Sequence, residues 1–299
     1  MAQDKKRKLE SDSSRHRSKA QKMSHQRFDS SAYTTSQKNT IAQFTSVTGA
    51  ERAQAAKLLK AANWNLQVAT NNYYGAAQTA PAQAALEALF EKYRAYGSDR
   101  TNMDVTATQR YFTDIGVNFE DASSFVASQI VQSPSLGEVT KEGFVKGWSA
   151  LSCDTITKQK NAIASYKANL GADTNKKVLE NVYKHAFTLL MQSPQQRSAD
   201  KEACIEIWKI LLSAPSLDWR APNAPWLKLW IDFIQKRQSV KVITRDQWNH
   251  VLKFATESMA DPTLGFHSEE QSWPSIIDEF AAEMKEYLSK SQASEEMEF

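Results

Sequence analysis

Large apolar side chains return every three or four positions through most of this chain, the spacing of a buried helical stripe. From about residue 84 the pattern is nearly continuous. Leu86, Leu89, Phe90, Tyr93 and Tyr96 share one face, and Val105, Tyr111, Phe112 and Ile115 share a second. Phe125, Val126, Ile130 and Val131 make a third, followed by Phe144, Val145 and Trp148. The theme repeats in Val178, Val182, Tyr183 and Phe187, then in Ile205, Trp208, Leu211 and Leu212. It continues through Trp226, Trp230, Phe233 and Ile234, then Trp248, Val251, Leu252 and Ala255, and ends with Ile276, Ile277, Phe280 and Met284. Thr244 is placed to cap one of these helices, and Pro274 suits a first helical position. Strand-like alternation does not persist, although Val240–Ile243 could pair locally.

Residues 37–76 predict a separate module of three short helices. The first carries Ile41, Phe44 and Val47 and stops at Thr48-Gly49. The second turns Ala55, Leu58 and Leu59 inward. The third is capped by Asn65, places Leu66, Val68, Ala69 and Tyr73 on its apolar side, and stops at Gly75. Residues 77–83 lack large apolar groups and contain Pro81, which predicts a linker to the domain at 84–289. Residues 1–36 and 290–299 are expected to be disordered tails, since polar segments bury too little surface to offset ordering entropy. The expected fold class is all-α, a small three-helix domain plus a larger multi-helical one.

Composition supports that class. Among 299 residues only 9 are Gly and 8 are Pro, which leaves few turn residues for a chain of many short strands. The net charge of +3 conceals an asymmetry. Residues 1–40 hold ten basic and four acidic side chains, a net of +6, so the remainder is acidic by 3. A basic protein partner therefore suits the folded part better than nucleic acid, which needs Lys and Arg on the folded surface. The cluster Lys5-Lys6-Arg7-Lys8, with Arg15 and Arg17 behind it, resembles a nuclear localisation signal, and nucleus and cytoplasm are the expected locations. A solvated basic tail accounts for the same residues equally well. The start, Met-Ala-Gln-Asp, is polar, so no secretory leader is expected, and no run of about 18 apolar residues suggests a membrane span. Two cysteines make no disulfide framework, which fits a reducing compartment.

Catalytic chemistry is hard to find in the sequence. There is no Gly-rich phosphate loop, no CxxC pair and no HExxH, so neither a cofactor nor a metal is expected. Cys153 with His185 or His250 is the one candidate nucleophile, and a packed thiol is the commoner meaning of such a residue. The helix–loop–helix around Ser98–Thr106 is similar to an EF-hand. With Asp99 as the first loop position, however, the third, fifth and twelfth are Thr101, Met103 and Arg110. Calcium requires oxygen ligands at these places and a bidentate Glu at the last.

Three stretches carry a more specific signal: Gly147-Trp148-Ser-Ala-Leu-Ser-Cys153-Asp-Thr-Ile156, Ile243-Thr-Arg-Asp246-Gln-Trp248-Asn, and Trp273-Pro-Ser-Ile-Ile-Asp278-Glu-Phe280. In this order, behind a module containing Asn63-Trp64-Asn-Leu-Gln-Val-Ala-Thr-Asn-Asn72-Tyr, they resemble the defective-in-cullin-neddylation family over residues 37–287. The resemblance implies a ubiquitin-associated-like (UBA-like) domain and a PONY/DCUN domain with EF-hand-like helix pairs. It also implies a scaffold without a nucleophile. Such a scaffold binds the C-terminal winged-helix region of a cullin and the N-acetylated conjugating enzyme for the neddylation modifier, and accelerates transfer to a cullin lysine by orientation.

By the same resemblance, the cullin-binding trio is Asp246, Ser272 and Asp278, with Ser272 standing where relatives often have Ala. The conjugating-enzyme pocket falls at or near Val105, Leu136, Val139, Leu190 and Ile210, with Leu136 where relatives use a polar side chain. The small domain is the candidate site for ubiquitin or the modifier, although Thr48-Gly49-Ala50 replaces the usual Met-Gly-aromatic loop. The residues alone leave ordinary first-turn acids and core positions as alternative meanings. The competing functional class is an EF-hand-like helical regulatory protein without a neddylation role.

Overall fold

The computed structural model describes residues 32–193, 195–222, 224–268 and 271–296. The basic cluster of the N-terminal tail lies outside them. The chain divides into two compact units between Ala80 and Pro81.

The smaller unit holds α1 (Thr35–Thr48), α2 (Arg52–Ala61) and the start of α3 (Leu66–Arg94). Thr34 caps α1 in a reciprocal box: Gln37 N–H donates to the Thr34 hydroxyl, and Thr34 N–H donates to the Gln37 side-chain oxygen. Tyr33 packs edge-on to Trp64, so the unit begins a few residues ahead of the expected boundary at 37. Gly49 ends α1 at φ 70°, a conformation glycine adopts without Cβ strain. Ile41, Phe44, Ala55, Leu59 and Ala69 form the core, while Val47 and Val68, both expected inside, are 56% and 45% exposed.

α3 corrects two expectations. It runs through Gly75, the expected stop, and through 77–83, so the expected linker is helical, while the division between the two units still falls inside it. Absence of large apolar groups shows only that a segment buries little. Ala76, Ala77, Ala80, Ala82, Ala84 and Ala85 are the best helix formers, and here they outweigh the hydrogen bond lost at Pro81.

The larger unit is built from two helix–loop–helix pairs. In the first, α3 leads to α4 (Val105–Asp114), and α5 (Ser123–Ile130) leads to α6 (Lys141–Ala150). Their loops meet in one antiparallel bridge, Met103 to Val139, with N–O distances of 2.9 and 3.1 Å. α7 (Ile156–Asn169) and α8 (Lys176–Leu189) pack on α5. In the second pair, α8 leads through β1 (Ser198–Asp200) to α9 (Lys201–Leu211), and α10 (Trp226–Lys236) leads through β2 (Val242–Thr244) to α11 (Arg245–Ala260). The strands pair antiparallel, Ala199 opposite Ile243. α12 (Ser275–Glu296) closes the unit against α11. It extends through 290–296, expected to be disordered. That segment contains no Gly or Pro, and a Lys290–Glu286 pair supports the helix just before it.

Aromatic rings hold the second pair together. Trp248 stacks on Tyr183 at 4.4 Å and on Trp208 at 5.4 Å. The Trp208 indole N–H donates to the Tyr183 hydroxyl at 2.7 Å, which donates to the Trp248 carbonyl at 2.9 Å. The Trp248 indole N–H returns to the Tyr183 carbonyl at 3.0 Å. Each of these buried donors thus finds an acceptor, as burial in an apolar core demands.

Candidate protein-docking sites

The loop between α3 and α4 commits its carboxylates to its own backbone. Asp104, the cap of α4, accepts from Ala107 N–H at 3.1 Å, Ser98 N–H at 2.6 Å and the Ser98 hydroxyl at 3.0 Å. Asp99 accepts from the N–H groups of Thr101 and Asn102. These donors, Ala107 and Ser98 foremost, hold the Asp104 carboxyl down at about 2. Among the described residues there is no group of three or more His, Cys, Asp or Glu able to hold a metal.

Cys153 does not form a nucleophile–base pair in this structure. Its thiol lies against the carbonyls of Leu151 and Lys158, and burial pushes it above the ordinary thiol value. Neither His185 nor His250 pairs with it. Burial holds His185 below the usual histidine value, opposed by the Ser128 and Ser133 backbone, and its Nε2 is buried without a hydrogen-bond partner among the described residues; His250 faces Asp246.

Asp246 and Asp278, which lie in separate stretches of sequence, flank one indole. Asp246 sits in the first turn of α11, fixed by the capping box of Thr244 and Gln247, and its side chain is 72% exposed. Its carboxylate lies 3.3 Å from His250 Nδ1, and the His250 ring packs edge-on to Trp273 at 5.6 Å. From the other side, the His267 ring lies 5.8 Å from Trp273, and His267 Nε2 is 2.9 Å from Asp278 Oδ1 in the first turn of α12. Asp278 is 41% exposed and His267 only 6%. Ser272 is exposed on the loop next to Trp273. Both carboxylates stand where helix N-terminal N–H groups favour negative charge, and both retain oxygens that can accept bonds from a partner cation. The trio is therefore a surface constellation centred on a buried indole, which two acids and a small residue in the sequence do not by themselves reveal.

The five expected pocket residues are not brought together. Val105 and Leu136 rim a cavity of about 360 Å³ between α4, α5 and the α5–α6 loop, exposed at 64% and 59%. Phe112, Phe119 and Phe125 provide its apolar wall, while Thr108, Gln109, Ser124 and Ser128 supply neutral polar groups. Among the described residues no charged side chain lines it. Gly137, at φ 80°, shapes the rim, where a Cβ would stand 2.9 Å from Val105 Cγ2.

Val139, Leu190 and Ile210 are absent from this lining. Val139 is fully buried through its bridge to Met103. Leu190 and Ile210 lie half-buried against the main core, at the ends of α8 and α9 in the second helix pair. Of the five, Val105 and Leu136 reach this opening, because backbone path and helix rotation decide which side chains face it. The phenylalanines missed by that reading look like core stripe in the sequence, and Phe119, isolated in a polar stretch, is the available signal.

These features define a class: a helical protein with a small three-helix module, two carboxylates flanking a buried indole and an apolar cavity. Comparison with known proteins places both parts of the chain in known domain families. The UBA-like domain model matches residues 38–79, and the model described as "Cullin binding" matches residues 158–283. "Defective in cullin neddylation protein 1" of Pyricularia oryzae is 31% identical over 259 residues, covering 82% of this chain and 91% of that protein. Its Yarrowia lipolytica namesake is 30% identical over 80% of this chain and 93% of its own length. "DCN1-like protein 3" of Rattus norvegicus is 26% identical over 66% and 62%, respectively. The chain belongs to the defective-in-cullin-neddylation family.

Proposed function

We propose that this protein is a scaffold that promotes cullin neddylation without contributing a nucleophile. The C-terminal winged-helix region of a cullin docks on Asp246, Ser272 and Asp278. The N-acetylated end of the neddylation conjugating enzyme enters the cavity rimmed by Val105 and Leu136. Holding both partners converts an encounter of separate proteins into transfer within one complex. The observation that carries the reading is the pair of exposed carboxylates around Trp273, within or beside the segment matched by the cullin-binding model. The cavity supports the second partner by its chemistry. A free terminal ammonium would lose hydration there with no carboxylate to meet it, whereas a capped, neutral terminus needs only the hydroxyl and amide groups present.

Ubiquitin or the modifier is the proposed ligand of the UBA-like domain, supported by the exposed Val47 and Val68. A titration of the full chain with ubiquitin tests this part, and unshifted signals from the small domain at about millimolar ubiquitin would remove it.

The main reading is tested by a cullin-modification assay from purified components. Wild-type protein accelerates transfer, and the double substitution Asp246→Ala with Asp278→Ala loses both acceleration and cullin binding while melting as wild type does. Full acceleration by the folded double variant would refute the docking assignment. A conjugating enzyme with an unacetylated N-terminus tests the cavity, and acceleration equal to that of the acetylated form would remove it.

A further inference from the structure

The docking surface also carries a cation. Lys253 is exposed on α11, and its ammonium lies 4.1 Å from the centre of the Trp273 ring. No carboxylate of the described residues lies within 4.0 Å of that ammonium, and its interaction is with the indole face. Of the other bases on these helices, Lys285 is committed to the His267 carbonyl at 3.0 Å, and Arg245 lies over the Phe187 ring at 5.0 Å. Lys253 follows Asp246 by seven residues and His250 by three, so the three side chains lie on one helix face, with Lys253 about 10 Å along the axis from Asp246. Trp273, with Lys253 over its ring, in turn touches His267, which holds Asp278. The surface thus reads acid, base, acid around one ring.

We infer that Lys253 is a specificity-determining residue of this surface, and that the partner presents a carboxylate between two cations. This rests on the cullin-docking proposal above. A lysine over an indole keeps its charge while the ring restricts its motion, so little entropy is lost when an anion arrives. A purely basic partner surface would instead be repelled by Lys253, and an unpaired lysine in the contact would weaken docking. Charge complementarity therefore selects a mixed-sign protein surface over a basic one.

The sign of a charge reversal decides between these. Full-length protein is titrated calorimetrically with a cullin C-terminal winged-helix domain. Lys253→Met keeps the stem on the indole and removes the charge, and it is expected to bind about threefold more weakly, with Lys253→Glu about tenfold weaker. Unchanged or tighter binding by folded Lys253→Glu would overturn the inference, because a wholly basic partner gains from the reversal. Asp246→Ala with Asp278→Ala is the reference arm. If that variant loses binding while both Lys253 variants match wild type, the acidic docking reading stands and the role of Lys253 falls. If that variant binds normally, the docking reading fails and takes the Lys253 inference with it.

Discussion

The two carboxylates of the proposed docking surface should not be equivalent, and the difference follows from their surroundings. Asp246 projects into solvent at 72% exposure, whereas Asp278 is 41% exposed and braced by the nearly buried His267 at 2.9 Å. A partner cation meeting Asp246 gains the modest energy of an exposed ion pair, about 0.2–1 kcal/mol. One meeting Asp278 is desolvated against the Trp273–His267 wall, where removing one member of a charge pair costs about 2–5 kcal/mol. At about 1.4 kcal/mol per factor of ten, Asp278→Ala should weaken binding of a cullin winged-helix domain by roughly 30-fold or more. Asp246→Ala should weaken it by no more than about fivefold. Calorimetry on the single variants, with circular dichroism to verify folding, measures both. An Asp246→Ala loss equal to or larger than that of Asp278→Ala would refute the reasoning, because it would place the desolvated contact on the other helix.

Three further outcomes follow from other parts of the molecule. Tyr183→Phe leaves the buried Trp208 indole N–H without its acceptor and should cost about 1–3 kcal/mol, read as a lowered melting temperature; an unchanged melt would show that the hydroxyl carries no net weight. Gly137→Ala strains a φ of 80° and pushes toward Val105, so it should weaken capture of an acetylated conjugating-enzyme peptide more than it weakens cullin binding, with equal losses counting against the cavity assignment. The Asp104 carboxyl is held at about 2 in the fold against 3.8 ordinarily, so its contribution to stability is present above pH 3.8 and is lost as pH falls toward 2. Asp104→Asn should therefore flatten the acid limb of the stability curve in that window, and an acid limb as steep as that of wild type would count against the capping account.

Much of the architecture is legible along the chain because a helix in a packed domain must repeat its apolar positions with its own period. The stripes through Tyr183, Trp208, Trp230, Trp248 and Phe280 all enter the core at 0–1% exposure. The same logic fails at 77–83, where an Ala-rich sequence without large apolar groups forms helix, since propensity and burial are separate quantities. It fails again at Val47 and Val68, because a short stripe in a small domain cannot say where the core ends.

The sequence by itself determined the helical class, the two-part organisation and the family motifs, all of which are local patterns or ordered strings. Only the tertiary structure decided that Asp246 and Asp278 share a surface, since α11 and α12 are joined by a loop whose path fixes Trp273 between His250 and His267. It likewise decided that Val105 and Leu136 open onto a cavity while Val139 is sealed in the core. Side-chain period records which face of a helix is apolar; which neighbour that face meets depends on how several helices fill space together, and no single segment contains that information.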